Sequence, residues 1–248
     1  MSEALYREFA GMIDHALLVP TMTRAELRAG CALAAAYGCA SACVMPYFVG
    51  EAATLLGDTD TVACCVIGFP HGNHLTAAKV AEAEAATRAG AAELDMVCNI
   101  SLVKSGAWDA VADDLRAVID AGHAGSAKVK VIFETCYLTD DEIRRLCTIC
   151  GDLRADWIKT STGFGNPPTG TPAGATDAHL TLMRSAAPPH VQVKASGGVR
   201  DFARLQRIRD LGCTRAGASA TQPILDEART TLNLPKIKAP SQHIETSY

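Results

Sequence analysis

The apolar residues of this chain fall into eight short runs, and each run is followed by a stretch with helical periodicity. Short apolar runs bounded by turn residues are typical of buried strands, whereas longer runs with a 3.6-residue period indicate helices. The predicted strands are residues 11–18, 41–46, 62–70, 93–99, 128–134, 157–161, 191–196 and 214–219. The predicted helices are residues 24–37, 49–56, 76–89, 107–121, 140–153, 177–186, 202–211 and 222–232, several of them ending at a glycine: Gly38, Gly90, Gly122 and Gly212.

Strict alternation of strands and helices predicts an α/β fold with a parallel sheet. Eight such units predict closure of the sheet into one (β/α)8 TIM barrel, a fold that commonly fills a chain of this length as a single domain. We therefore expect residues 1–248 to form one domain. The alternative is an open doubly wound sheet, but no G-x-G-x-x-G motif follows the first strand.

The alternation of side chains along the strands predicts an unusually polar barrel interior. Leu94 and Met96 face the helices, so Asp95 between them faces the interior. The same rule places further polar side chains inside, namely Asp14, Cys43, Glu93, Lys130, Glu134, Lys159 and Lys194. Barrel interiors are normally filled by Val, Ile and Leu, and catalytic groups lie at the carboxyl ends of the strands. This concentration of polar groups predicts an active site.

Composition and charge exclude several classes of partner. The chain has 23 basic and 27 acidic residues and a net charge of −4, so we expect no nucleic-acid partner. The N-terminus lacks a signal-peptide pattern, and no apolar run approaches the length of a membrane span, which predicts a cytoplasmic protein without a membrane partner. Ten scattered cysteines are interpreted as small buried hydrophobes in a reducing compartment. The pair Cys147 and Cys150 resembles a redox or metal half-site, but it lies inside a predicted helix.

Two lysines at the ends of neighbouring strands indicate covalent chemistry on a carbonyl substrate. A neutral lysine amine attacks a carbonyl to give a Schiff base, which acidifies the adjacent carbon. Lowering the pKa of a lysine by about 3 units yields roughly a thousandfold more neutral amine at pH 7. Lys194 can supply the cation that lowers the pKa of Lys159, and spacing alone allows the reverse assignment. Asp95 is expected to pair with the retained ammonium and to relay protons.

Small residues after the last three strands predict a phosphate site. Backbone N–H groups in such turns cradle phosphate, and barrels of this kind often bind phosphate after strands seven and eight. The candidate binding residues are Thr162, Gly163, Gly197, Gly198, Gly217 and Ser219, with Asp14, Cys43 and Lys130 as further candidates for substrate contacts.

The chain resembles the deoxyribose-phosphate aldolases between Ile13 and about Leu225. The resemblance rests on motifs at residues 13–15 (Ile-Asp-His), 67–70 (Ile-Gly-Phe-Pro), 93–97 (Glu-Leu-Asp-Met-Val), 104–106 (Lys-Ser-Gly), 134–139 (Glu-Thr-Cys-Tyr-Leu-Thr), 159–165 (Lys-Thr-Ser-Thr-Gly-Phe-Gly), 194–200 (Lys-Ala-Ser-Gly-Gly-Val-Arg) and 217–219 (Gly-Ala-Ser).

This resemblance implies a class I aldolase of deoxynucleoside catabolism. Such an enzyme reversibly cleaves 2-deoxy-D-ribose 5-phosphate to D-glyceraldehyde 3-phosphate and acetaldehyde, with no metal or organic cofactor. The resemblance makes Lys159 the Schiff-base former, Lys194 its pKa-lowering partner and Asp95 the proton relay. It also implies a homodimer or a higher homo-oligomer.

The chain departs from the pattern of this family near the predicted strand ends. Ala16 and Val19 stand where the family usually has Thr and Lys, Met45 replaces Asn, and residues 71–74 (His-Gly-Asn-His) replace an apolar turn. The loop at residues 166–175 is longer and richer in Pro and Gly than is usual. We expect the chemistry to be intact in spite of these changes, and an altered acceptor aldehyde, or an altered affinity for it, is the alternative.

Other activities remain alternatives at this point. A metal-dependent aldolase needs three protein ligands, of which His71 and His74 supply two. A non-covalent isomerase or synthase on the same barrel, or a non-catalytic sugar-phosphate binder, is also compatible with the fold. Residues 233–248 are expected to form a flexible tail, long enough for the terminal Tyr248 to reach the barrel mouth and assist proton transfer.

Overall fold

The computed structural model describes residues 2–167, 169–171 and 173–238. Within these residues, eight parallel strands pair in chain order, and pairing of the first strand with the last closes the barrel. The strands are β1 (Ile13–Leu17), β2 (Ser41–Val44), β3 (Val62–Ile67), β4 (Glu93–Val97), β5 (Lys128–Ile132), β6 (Trp157–Lys159), β7 (Gln192–Ser196) and β8 (Arg215–Ala218). The predicted (β/α)8 fold is confirmed.

The helices surround the barrel, and most begin or end where the sequence predicts. In the described part of the chain they are α1 (Ser2–Ala10), α2 (Arg24–Tyr37), α3 (Val49–Leu56), α4 (Thr76–Arg88), α5 (Ile100–Lys104), α6 (Trp108–Ala124), α7 (Asp140–Asp152), α8 (Asp177–Ala186), α9 (Phe202–Asp210) and α10 (Thr221–Thr231). Capping boxes start two of them, with Thr23 and Glu26 at α2 and Thr139 and Glu142 at α7. Each box satisfies backbone N–H groups that the first turn leaves open.

Two helices were not predicted, and one predicted helix end was wrong. Helix α1 is held by tertiary contacts, since the ring of Phe9 meets that of Phe202 edge to face at 4.8 Å. Helix α5 is too short to show a helical period. Gly122 lies inside α6 rather than at its end. A Cβ there would approach Cγ2 of Val129 to 2.4 Å, so this glycine permits close helix–strand packing.

Several predicted strands run past the observed ones at their carboxyl ends. There the chain leaves β geometry to form loops over the barrel mouth. Pro46 starts a 3-10 turn after β2, Gly68 has φ +61° after β3, and Glu134 has φ +55° after β5. The loops at this mouth, rather than the regular strands, carry these special conformations.

The apolar core lies mainly between the barrel and the helices. A much smaller apolar cluster, which we call the interior cluster, lies inside the barrel and consists of Leu18, Cys43, Cys64 and Val66. All ten cysteines are buried and unbridged, as predicted. Among the described residues, no helix is both long and apolar enough to cross a membrane.

Candidate active site

Charged side chains occupy most of the barrel interior. They are Asp14 (β1), Glu93 and Asp95 (β4), Lys130 (β5), Lys159 (β6), Lys194 (β7) and Arg215 (β8). Strand register sets them side by side: Asp95 pairs with Lys130, and Lys159 with Lys194. Because neighbouring strands are hydrogen-bonded in register, these side chains point to the same place.

Asp95 lies at the centre of this interior network. Its Oδ2 accepts hydrogen bonds from Lys159 and Lys194, each at 2.7 Å. Its Oδ1 accepts one from Lys130 at 2.8 Å and one from the Cys64 thiol at 3.3 Å. Burial would raise the pKa of Asp95, but the three ammonium groups hold it well below its ordinary value. The carboxylate is therefore ionised at neutral pH.

Lys194 bridges the two deepest carboxylates. Its Nζ lies 2.5 Å from Oδ2 of Asp14 and 2.7 Å from Oδ2 of Asp95. Burial alone would lower the pKa of Lys194, but Asp14 and Asp95 outweigh it and raise that pKa above its ordinary value. Lys194 is thus held as the ammonium ion.

A second layer of ion pairs lies around this centre. Arg215 donates to Asp14 at 2.6 Å and to both oxygens of Glu93, at 3.0 and 2.8 Å, while Lys130 donates to Glu93 at 2.6 Å. The sequence analysis did not single out Arg215. The same alternation that placed Lys194 would have found it, because positions 215, 217 and 219 share one face of β8.

The network contains more positive than negative groups. Lys130, Lys159, Lys194 and Arg215 face Asp14, Glu93 and Asp95, which is four cations against three carboxylates when all are ionised. Glu134, at the edge of the network, also interacts electrostatically with Lys159.

A cavity of about 120 Å³ opens above this network at the carboxyl ends of the strands. Most of the predicted site residues line it, namely Asp14, Cys43, Lys159, Thr162, Gly163, Lys194, Gly197, Gly198, Gly217 and Ser219. Asp95 lies beneath Lys159 and Lys194 and accepts a hydrogen bond from each. Lys130 is not among the lining residues, because its ammonium is fully buried against three carboxylates. Tyr248 lies outside the described residues.

A second cavity, of about 280 Å³, adjoins the first and shares Gly163, Gly197, Gly198 and Arg200 with it. Glu134 lines it and accepts hydrogen bonds from both the backbone N–H and the hydroxyl of Thr162. Burial raises the pKa of Glu134, although the bonds from Thr162 oppose this. The sequence analysis placed Glu134 inside the barrel but gave it no role. In the structure, it fixes the turn that follows Lys159.

The residues at which the chain departs from the family pattern lie in different parts of the structure. Ala16 lines the first cavity, and Met45 packs against the interior cluster. His71 and His74 are both exposed. Among the described residues, the group that brings three ligand atoms together is instead Cys43, Cys64 and Asp95, all buried.

The loop after β6 is anchored at its far end. Gly174 packs against Gly197, and the N–H of Ala175 donates to the carbonyl of Gly197 at 3.1 Å. Arg204 donates to the carbonyl of Ala175 at 2.5 Å. The long loop therefore abuts the glycine turn that lines the first cavity.

Comparisons with known proteins agree with this geometry. The profile of the DeoC/LacD family of aldolases matches residues 9–219. The deoxyribose-phosphate aldolase of Rhodopirellula baltica is 50% identical over 238 residues, covering 96% of each chain. That of Caldanaerobacter subterraneus subsp. tengcongensis is 44% identical over 219 residues, covering 88% of this chain and 92% of its own.

Solved structures give the same result. A tetrameric deoxyribose phosphate aldolase from Aeropyrum pernix superposes with a TM-score of 0.81 at 29% identity. The match covers 91% of this chain and 92% of that one. The chain therefore belongs to the DeoC/LacD family of aldolases, and the protein is a class I aldolase.

Proposed function

We propose that this aldolase cleaves 2-deoxy-D-ribose 5-phosphate to D-glyceraldehyde 3-phosphate and acetaldehyde, through a Schiff base on Lys159. The observation that carries the proposal is that Lys159 lines the cavity while its Nζ is held 2.7 Å from Asp95 in the buried network. The substrate is that of the relatives named above, and the residues that surround Lys159 suit its chemistry.

Lys159 is the lysine best placed to act as the nucleophile. Among the described residues, Lys130 forms ion pairs with three carboxylates and Lys194 with two, whereas Lys159 forms one, with Asp95. Lys159 also lines the cavity. As the free amine, its Nζ attacks the aldehyde carbon, C1, of the open-chain sugar.

The following steps require protons to move near that nitrogen. The carbinolamine loses water to give an iminium ion. Loss of the proton from the C3 hydroxyl then breaks the C2–C3 bond, which releases D-glyceraldehyde 3-phosphate and leaves an enamine on Lys159. Protonation of C2 and hydrolysis release acetaldehyde. Asp95 lies 2.7 Å from the nitrogens of both Lys159 and Lys194, so it links the amine to a charged proton donor. Tyr248 remains a proposed donor to C2.

The phosphate end of the substrate is assigned to the glycine-rich rim. Gly163, Gly197 and Gly198 have φ between +82° and +91°, a conformation that turns successive backbone N–H groups toward one point. Gly217 and Ser219 line the same cavity, and Arg200 adds a cation at its edge. The phosphate would thus lie on the β6, β7 and β8 side, with C1 at Lys159.

Two further features belong to this proposal. We infer that the protein is a homo-oligomer, since the Aeropyrum pernix relative is tetrameric. The ten unbridged cysteines suit a reducing compartment such as the cytoplasm. The alternative of an altered acceptor aldehyde rests on Ala16, which lines the cavity where the family usually has a threonine.

Steady-state cleavage assays in the presence of a chelator test the proposal. We expect 2-deoxy-D-ribose 5-phosphate to be cleaved with a kcat/KM about a hundredfold above that for 2-deoxy-D-ribose, because losing two charge-assisted hydrogen bonds costs about 3 kcal/mol. Absence of cleavage would refute the proposed substrate, and a loss of activity caused by the chelator would favour the metal-dependent alternative.

A further inference from the structure

Two cysteines face each other inside the barrel, directly beside the catalytic network. Strand register pairs Cys43 of β2 with Cys64 of β3. Neighbouring strands lie about 4.8 Å apart, which falls within the roughly 4.4–6.8 Å that separates the Cα atoms of a disulfide. The two Sγ atoms lie within 4.8 Å of each other, and both belong to the interior cluster. Cys65, the next residue, instead belongs to the outer core.

We propose that Cys43 and Cys64 form a reversible disulfide that switches this aldolase off when a hydroperoxide is present. The Cys43 thiolate attacks hydrogen peroxide to give a sulfenic acid and hydroxide. The Cys64 sulfur then displaces the sulfenic oxygen, which leaves as water once the proton of Cys64 is transferred. In sum, two S–H bonds are lost, one S–S bond forms, and one peroxide is reduced to two water molecules.

Cys43 is the member of the pair that an oxidant can reach. Its side chain lines the cavity that Lys159 and Lys194 also line, whereas Cys64 is not among the lining residues. The neighbouring Cys64 side chain lowers the pKa of Cys43 in spite of burial, and the ammonium groups of Lys194 and Lys159 act in the same direction. Burial raises the pKa of Cys64. Cys43 is thus suited to attack the peroxide, and Cys64 to resolve the sulfenic acid.

The charges around the pair favour a disulfide over a bound metal ion. Cys43, Cys64 and Asp95 bring three ligand atoms together, but Asp95 already accepts hydrogen bonds from three ammonium groups. A divalent cation would therefore meet three positive charges within the same network. Oxidation of two neutral thiols to a neutral disulfide adds no charge there.

A disulfide would disturb the catalytic network directly. The Cys64 thiol donates to Oδ1 of Asp95 at 3.3 Å, and the Cys64 sulfur accepts from Lys130 at 3.4 Å. Oxidation removes that donor and draws the sulfur toward β2. Because Asp95 holds both Lys159 and Lys194, the loss of this contact changes the position of the carboxylate on which the proposed chemistry depends.

The test treats the reduced, full-length protein with hydrogen peroxide and follows activity and thiol chemistry together. Acidic quenching and digestion after Tyr37, Glu51 and Phe69 place Cys43 and Cys64 on separate peptides. We expect a cross-linked peptide pair that is lighter by two hydrogen atoms than the two reduced peptides together. Fragment ions should assign the bond to Cys43 rather than Cys39 and to Cys64 rather than Cys65. Activity should fall in proportion to the cross-linked fraction and return with dithiothreitol.

Adjacent substitutions provide matched controls. Cys65→Ala alters the outward-facing neighbour, so it should keep both the cross-link and the oxidant sensitivity. Cys64→Ala should form no cross-link and, after brief exposure to peroxide and before any reductant is added, should keep most of its own untreated activity. Loss of activity without a Cys43–Cys64 bond, a bond without loss of activity, or an equal fractional loss of activity in the unmodified enzyme and in Cys64→Ala would each overturn the proposal. Detection of the bond does not require the substrate, so this test can fail or succeed independently of the proposed function.

Discussion

Among single residues, Lys194 decides how much positive charge the interior holds. It bridges Asp14 and Asp95, while the ion pair of Lys159, within the described part of the chain, is with Asp95. Replacing Lys194 with methionine keeps most of its volume but removes the ammonium group that shares one oxygen of Asp95 with Lys159. The role proposed for Lys194 is electrostatic, and it should be visible in a pH profile.

We expect Lys194→Met to lower kcat/KM by about a hundredfold or more at neutral pH. Activity should recover partly under alkaline conditions, because the neutral fraction of any lysine amine rises with pH. The measurement is kcat/KM between about pH 6 and 10. Lys128→Met, which alters an exposed lysine at the start of β5, should keep full activity. A loss of activity that is the same at every pH would contradict the electrostatic role.

Asp95→Asn should keep the barrel but lower the free energy of unfolding by about 3 kcal/mol at neutral pH, because it leaves buried ammonium groups short of a partner. The folded-state pKa of Asp95 is depressed, so its ionised form contributes stability above the unfolded pKa of about 3.9 and loses it as pH falls. Urea unfolding across pH measures this effect, and circular dichroism checks the fold. If the difference in free energy of unfolding between Asp95→Asn and the unmodified protein does not become smaller below about pH 4, the ionic contribution of Asp95 is contradicted.

Individual interior residues were predictable where simple alternation applied. Asp95, Lys159 and Lys194 were placed inside the barrel because apolar neighbours face outward. The partners within the network were less predictable. Asp14 accepts a hydrogen bond from Lys194, and Glu134 accepts one from Thr162. Both bonds join segments that are distant in the chain, and hydrophobic periodicity does not encode such contacts.

Among the elements, the long loop after β6 offers a direct test of how distant segments shape the proposed phosphate site. Gly174 and Gly170 both have positive φ, +80° and +89°. A Cβ on Gly174 would lie 2.8 Å from the carbonyl oxygen of Gly197, whereas one on Gly170 meets nothing within 4 Å. The two glycines thus share a conformational demand but differ in packing.

Gly174→Ala should therefore displace the Gly197 turn and raise KM for the phosphorylated substrate several-fold, with a smaller effect on an unphosphorylated one. Gly170→Ala carries similar backbone strain and should leave the KM unchanged. Kinetics with both substrates measure the difference. Equal effects of the two substitutions would show that loop strain, rather than contact with Gly197, controls binding.

The predictability of elements followed the strength of the local pattern. Most helix bounds were predicted to within two residues, because apolar faces and capping residues mark them. The carboxyl ends of the strands were predicted too long, since turns such as that at Glu134 keep apolar neighbours while leaving β geometry. Gly122 was predicted to end a helix. In the sequence, a glycine that close packing requires inside a helix cannot be distinguished from a glycine that ends one.

At the scale of the whole molecule, the alternation of strands and helices predicted the closed barrel, but no local sequence pattern predicted the oligomeric state. We expect the protein in solution to have a mass at least twice its 26.0 kDa chain mass. The reason is its resemblance to a tetrameric relative. Light scattering coupled to size-exclusion chromatography measures this mass. A chain that stays monomeric at every accessible concentration would refute the inferred homo-oligomer.

The central claim is that Lys159 forms the covalent intermediate, and trapping that intermediate tests it most directly. Acetaldehyde followed by sodium borohydride should reduce the Schiff base and leave an ethyl group on one lysine, located by peptide mass spectrometry. We predict the label on Lys159, its absence in Lys159→Met, and its retention in Lys128→Met. A label on Lys194, or no specific label on any lysine, would contradict the account.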